Sequence, residues 1–564
     1  MDGGSGTEPG RAARPVRLRD RVPVRLRHHW KPAAALGVGL AAVVVFLGDA
    51  RVSPYVTSAS RAEGNPVTDD VAGAVGLYDP SAAHAIQLTY EQSDFDKMMA
   101  AFEKDGTKDY IKADLVIDGV SLNDVGIRLK GNSTLSSLRG TRGAPGGGGG
   151  GFPPGGGAAG GAKTGGDAKA GDPAKTGSGG RAGDPAKTEG GRASQGGGAG
   201  MGGGMTQYDL SAAKPEELPW LVRIDEYVEG RAYQGEREIS LRPGSDGQVP
   251  LNEALSLALT AKSGQKAERY GFTRLTVNNR PAATRLMVES PGTDYAEDVA
   301  QGNGVLYKAK ADGSFDYQGD DPTDYEDSFK QLNKVGSQDL EPVMKLIKWA
   351  NKASDAEFAR DLHRYVDISS FARYVASQNL LLNFDDMAGP GKNYLLWYAL
   401  DTKKFSVLGW DYNMTFSGEA STGPDDSVGM GGGMPGGGAD GGEAEGGGPV
   451  VGGGQDGGGP GAAGRNGAAP ASGTDGGAGP RSGHLLKTRF LASDAFDAVY
   501  HSAYRALYEK FYASGAAAQE LKSIAVRARA AVGTSQELDS AVTRLTKTVT
   551  DRKAALAEDA EVTG

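Results

Sequence analysis

Two stretches of this chain cannot hold a core, and they dictate how the rest folds. Residues 140–206 run almost wholly in Gly, Ala, Pro, Lys and Thr, with GDPAKT repeated at Gly171 and Gly183. Residues 417–482 are again Gly-rich, and such blocks concentrate the 89 glycines found among 564 residues. Without apolar side chains to bury, neither stretch offsets the entropy of ordering its backbone, so both are expected to be disordered. Phosphate-cradling glycine loops are short and lie between a strand and a helix, and these blocks are neither. Three foldable pieces remain, 77–139, 207–416 and 483–564. Long insertions between them are tolerable because the cost of loop closure grows slowly with length.

The N-terminus bears on compartment. Eight basic residues, Arg11, Arg14, Arg17, Arg19, Arg21, Arg25, Arg27 and Lys31, fall in a tail spanning 1–31. Pro32–Gly48 is uncharged and mostly apolar, with Trp30 at its entrance. The pattern reads as a transmembrane signal anchor at 32–50, at the short end of what spans a bilayer, with its basic flank cytoplasmic and the rest exported. A cleaved signal peptide and a buried soluble helix are the alternatives. Residues 51–76, polar and containing Pro54 and Pro66, read as a linker. The absence of cysteine excludes disulfides and thiolate chemistry. A net charge of −10 without a basic face beyond the N-terminus argues against nucleic-acid binding.

Within the foldable pieces, strands are expected at 85–89, 110–117, 125–129, 220–227, 237–241, 273–277, 283–289 and 304–310. The tight turns Asp118-Gly119 and Asn278-Asn279 join neighbouring strands. A helix over 94–104, capped by Ser93, carries an apolar stripe of Phe95, Met98, Met99 and Phe102. Further helices are expected at 252–261, 325–334, 340–351, 355–364, 368–383, 484–491, 495–511, 517–531 and 538–557. The acidic run 316–327 reads as a solvated loop rather than a cation site. A β-rich first part and a helical C-terminal part make an α+β plan with a ligand site between them.

Leu380–Phe416 carries the chemistry. Asp385 and Asp386 precede a hairpin, Tyr394–Leu400 and Phe405–Trp410, and Asp411 follows it, with Asn393 at its head. A hairpin brings its ends together, and converging Asp and Asn oxygens suit a hard cation such as Mg²⁺. The alternative is that these are solvated turn residues. Arg128 and Lys130 share one face of a strand, as Lys308 and Lys310 do, and each pair is either phosphate-binding or a solvated edge. Glu289 reads as a surface charge.

Seven segments, in order, resemble the spore-coat-protein-H (CotH) kinase family: DVGIRLKGNST from Asp124, EISL from Glu238, GFTRLTVNNR from Gly271, MVE from Met287, GVLYK from Gly304, LLLNFDDMAGPGKNYL from Leu380 and GWDYNMTF from Gly409. The resemblance implies a two-lobed, protein-kinase-like fold that transfers phosphate from ATP to Ser or Thr of surface proteins. It implies that Asp411 and Asn393 hold Mg²⁺ on the phosphates and that Asp385 orients or deprotonates the acceptor hydroxyl. Arg128, Lys130 and Lys308 are the residues expected to contact ATP.

The chain departs from the family pattern in three places. Asn413 replaces the second Asp of the W-D-x-D motif. The strand Leu218-Pro-Trp-Leu-Val-Arg-Ile-Asp lacks the usual lysine, leaving Lys214 or Arg223 as substitutes. Asp386 competes with Asp385 for the catalytic position. Two further readings follow: an inactive kinase-like envelope protein that binds or builds, and a sugar hydrolase with paired carboxylates.

Overall fold

The computed structural model describes residues 66–131, 133–139, 208, 210–245, 247–428, 483–533 and 535–563. The basic tail, the 32–50 stretch, residues 140–206 and residues 429–482 lie outside them. Among the described residues no helix is long and apolar enough to cross a membrane.

The first foldable pieces close into a barrel. Its strands are β2 (His84–Tyr90), β3 (Ile111–Ile117), β4 (Val120–Leu129), β5 (Trp220–Arg223), β7 (Glu238–Leu241), β8 (Tyr270–Val277) and β9 (Ala283–Glu289), in the order β2-β3-β4-β5-β7-β9-β8. Parallel pairing of β2 with β8, from His84 opposite Thr273 to Leu88 opposite Val277, completes the ring. Alternation sets the faces: His84, Ile86, Leu88 and Tyr90 point inward while the residues between them are exposed. Asp118 and Gly119 (φ 50° and 85°), like Asn278 and Asn279 (φ 44° and 61°), adopt the left-handed conformation that a two-residue hairpin demands.

Helix α1 (Gln92–Asp105) packs its Phe95, Met98, Met99 and Phe102 into the barrel core, with Phe95 stacked on Tyr90 at 5.2 Å. Burial of each such side chain contributes roughly 1.5–3 kcal/mol. Its cap is Glu91; Ser93 sits inside the first turn, so the expected Ser93 cap does not form. The expected linker over 51–76 also contains structure, since β1 (Asp69–Val71) pairs in parallel with β6 (Arg231–Tyr233).

A second sheet, in the order β11-β10-β12-β13, is built from β10 (Gly304–Ala309), β11 (Phe329–Gln331), β12 (Tyr394–Ala399) and β13 (Phe405–Gly409). The β12–β13 hairpin is the one expected from sequence, with Tyr394 opposite Gly409. Residues 325–334 are not helical. Phe329–Gln331 pairs with Tyr307–Ala309, and only a 3₁₀ turn, Pro322–Tyr325, precedes it.

Helices complete the C-terminal part: α4 (Glu341–Lys352), α5 (Asp355–Asp361), α6 (Ile368–Leu380), α7 (Leu485–Leu491), α8 (Asp494–Tyr508), α9 (Ala516–Val532), α10 (Gln536–Glu558) and α11 (Ala560–Thr563). They share a core with α2 (Leu251–Ser263) and with the inner face of the second sheet. The short α3 (Thr293–Asp298) follows the barrel.

The expected disorder of 417–482 is contradicted over 417–428. Arg552 of α10 is fully buried and donates to the carbonyl of Ala420 (3.0 Å) and to the Asn379 side chain (2.9 Å). Asn379 in turn donates to the carbonyls of Gly423 (2.9 Å) and Asp426 (3.1 Å). Polar composition hides such pinning, because the partners are backbone carbonyls.

Candidate functional site

The loop 383–393 joins α6 to β12 and presents Asp385. Gly391 N–H donates to Asp385 Oδ1, and Asn393 Nδ2 donates to Oδ2 at 2.9 Å. The glycines here are spatially required: a Cβ on Gly391 would run into Asp385 Oδ2, and one on Gly389 would stand 2.5 Å from its Cα. Burial pushes the Asp385 carboxyl up to about 6, with Asp411 and Asp386 adding to the rise and the Gly391 and Asn393 bonds opposing it. Asp385 is therefore still largely ionised at neutral pH.

Asp386 is engaged differently. It is 2% exposed, accepts the Ala388 N–H at 2.8 Å and pairs with Lys487 of α7.

At the far end of the hairpin, Asp411 holds a left-handed backbone (φ 56°, ψ 68°) before the turn Tyr412–Met414. A non-glycine residue in that region stores strain, and such residues gather at functional sites. Asp411 lies close enough to Asp385 for its charge to raise the Asp385 carboxyl. Asp411 Oδ1 and Asn413 Oδ1 are both buried without a hydrogen-bond partner among the described residues. Two buried oxygens without hydrogen bonds on one turn, with Asn393 at the hairpin's head next to the Tyr394–Gly409 pair, are a donor set that fits a hard divalent cation, although Asp411 Oδ1 also faces the Arg242 guanidinium at 3.4 Å. Asn413 removes one formal charge from that set but keeps the oxygen.

The cations converge from the barrel and the second sheet. Lys130, just past β4, reaches Ser290 Oγ at 3.4 Å. Burial lowers its ammonium to about 8; Arg242 and Arg128 assist, and Glu238 and Asp411 oppose. Lys308 on β10 stands 3.3 Å from the centroid of the Trp410 ring. Burial first, then Lys130, Lys330 and Arg242, lower it to about 7 against the pull of Asp411. Arg128 points elsewhere: its guanidinium lies 5.1 Å from the centroid of the Tyr110 ring and donates to its neighbour's carbonyl. It borders the group through its charge and does not enter it.

Sequence reasoning missed Arg242. It follows β7, pairs through Nη2 with the buried Glu253 of α2, and lies 3.4 Å from Asp411 Oδ1. Burial works against its charge, but Glu253 and Asp411 together hold it well above the ordinary range. Burial also raises Glu253, which Arg242 opposes. Arg242, rather than Lys214 or Arg223, is the cation that stands beside Asp411. Those residues are engaged away from it, Lys214 with Glu217 at 3.2 Å and Arg223 with Asp225 at 2.8 Å. Its signal in the sequence was a cation ending the EISL strand eleven residues before a helical glutamate. Glu289, expected as a surface charge, is 1% exposed and bound by Arg269 at 2.6 Å.

The CotH kinase protein family profile matches residues 211–550. That span begins after the Asp124 segment, so the barrel strand β4 lies outside the matched part although it pairs with β5 within the ring. Inner spore coat protein H of Bacillus subtilis (strain 168) is 23% identical over 194 residues, covering 34% of this chain and 53% of that protein. The chain thus spans about half the length of the curated relative it matches. With more than half of its residues inside the family profile, the chain belongs to the CotH kinase protein family.

Proposed function

We propose that this protein binds a nucleoside triphosphate with Mg²⁺ and transfers the terminal phosphoryl group to Ser or Thr hydroxyls of a surface or envelope protein. The observation that carries this reading is the meeting of two carboxylates, Asp385 and Asp411, with three cations, Lys130, Lys308 and Arg242. Phosphoryl transfer demands positioning and charge neutralisation more than covalent chemistry, and this set offers both. The bound metal would neutralise phosphate charge, held by Asp411 with Asn393 and Asn413. Arg242, fixed by Glu253, and the two lysines contact the phosphate oxygens. Asp385, ionised above pH 6, orients the acceptor hydroxyl and accepts its proton. The apolar run at 32–50, with its basic flank, supports a single membrane anchor with this domain on the outer side.

Asn413 supports a second reading, a kinase-like envelope module without transfer activity, because it weakens the metal charge. Calorimetric titration of ATP into residues 65–564, with and without Mg²⁺, separates the two. Metal-dependent binding that is abolished in a folded Asp411→Ala variant supports the first. Absence of binding at millimolar nucleotide refutes it.

A further inference from the structure

The loop that carries Asp385 is held from outside itself. Asp386 is buried, and its two carboxylate oxygens have separate duties. One closes the turn on the Ala388 N–H, while the other meets the Lys487 ammonium. The Asp386 carbonyl also accepts from Gly389 N–H at 3.0 Å. A carboxylate this deep keeps its charge only beside a counter-ion. Among the described residues the ion pair it makes is with Lys487.

Lys487 stands on α7, the helix that resumes the fold after residue 482. That helix grips both ends of the loop's support. Phe490 packs on Phe371 of α6 with ring centroids 4.8 Å apart. His484, at the helix start, meets the Tyr394 hydroxyl at the head of β12 at 3.0 Å. Arg489 donates to the Ala350 carbonyl and to Asp355, each at 2.7 Å, fixing α7 on α4 and α5. The elements that enter and leave the loop, and the turn inside it, therefore meet on one seven-residue helix.

We infer that Lys487 is a positioning residue: by neutralising Asp386 it locks the 383–393 turn, so that Asp385 faces Asp411 only while α7 is docked. This rests on the role given to Asp385 above. Without Lys487 the buried Asp386 carboxylate has no counter-ion and turns toward water, which breaks the bond it accepts from Ala388 N–H and moves the backbone next to Asp385.

The test uses the whole chain and compares wild type, Lys487→Met, Lys487→Arg and the double variant Asp386→Asn with Lys487→Met. Amide hydrogen exchange of the 383–393 peptide is read by mass spectrometry alongside the kinetics of phosphate transfer. Lys487→Met is expected to exchange at least tenfold faster in that peptide, with the peptides of α6 and β12 unchanged. Its kcat should fall by about a hundredfold, the scale of a 1 Å misplacement, while the nucleotide KM stays within about twofold. Lys487→Arg restores both, and so does the double variant, because a neutral amide in place of the carboxylate needs no counter-ion. Should Lys487→Met not fold, Lys487→Gln replaces it with the same expectation. Unchanged exchange in 383–393 overturns the inference, as does a double variant no better than the single one. A wild type that transfers no phosphate would refute the proposed function, and the exchange measurement would still decide the role of Lys487.

Discussion

Lys308 makes nucleotide affinity depend on pH in a way that can be worked out from its surroundings. Burial, with Lys130, Lys330 and Arg242 around it, lowers its ammonium to about 7, and Asp411 is the facing charge that opposes the shift. Lys130 lies at about 8. At pH 7.5 Lys308 is then about three-quarters neutral and Lys130 about one-quarter neutral. Phosphates pair with the charged amines, so binding at pH 7.5 should take up about one proton in all. Raising the pH to 9, where the nucleotide is already fully ionised, weakens binding roughly 24-fold through Lys308 and about eightfold more through Lys130. Lys308→Met removes the first factor and leaves uptake near a quarter of a proton. The assay is calorimetry of ATP binding at a fixed Mg²⁺ level in buffers of differing ionisation heat.

The same substitution tests the reasoning from the stability side. Lys308 is easier to protonate in the unfolded chain, at 10.5, than in the folded one. The folded state is therefore penalised most below pH 7, and the penalty fades as pH rises toward 10.5. Lys308→Met should stabilise the fold at pH 6, by at most on the order of 5 kcal/mol, while weakening nucleotide binding. A variant with wild-type proton uptake, or one less stable at pH 6, refutes the argument.

Three more outcomes follow from the site. Asn413→Asp should tighten Mg²⁺ in the presence of nucleotide by about tenfold, since it returns a formal charge to a buried oxygen that lacks a partner among the described residues; a metal titration reads this. Glu253→Gln leaves Arg242 without its buried carboxylate and should lower transfer by at least tenfold. Crystallography of that variant should show Arg242 closer to Asp411 than its present 3.4 Å. Gly391→Ala drives a methyl into Asp385 Oδ2 and should abolish transfer with little change in nucleotide affinity, as calorimetry and a phosphate-transfer assay would show.

How far the sequence could be read depended on the range of each signal. The β12–β13 hairpin was legible because two apolar runs flank a four-residue turn, but whether Asp385 and Asp411 on its flanks meet or stay as solvated turn residues was not, since that depends on burial by distant segments. Arg242 was not, because its partner Glu253 lies across a strand-to-helix junction and neither residue breaks a local rule. Residues 325–334 read as helix from spacing, yet the free edge of β10 captured Phe329–Gln331, and that edge is invisible in sequence. Residues 417–428 looked structureless by composition, while Arg552, more than a hundred residues later, reaches their carbonyls. Asp386 is set apart from Asp385 by its ion pair with Lys487, again about a hundred residues away.

The parallel seam between β2 and β8 has a consequence for how the chain is made. His84 and Thr273 are register partners separated by nearly two hundred residues. Strands β2 to β4 can pair among themselves as soon as they leave the ribosome, but the outer edge of β2 waits for β8. At about 5–20 residues per second, the interval from Leu129 to Tyr270 lasts on the order of 7–28 s. Through that interval an unpaired edge backed by the apolar Ile86 and Leu88 stays open to other nascent chains. Ring closure over so long a separation is a slow step of folding. The yield of this protein should therefore respond to translation speed and to chaperones that shield strand edges.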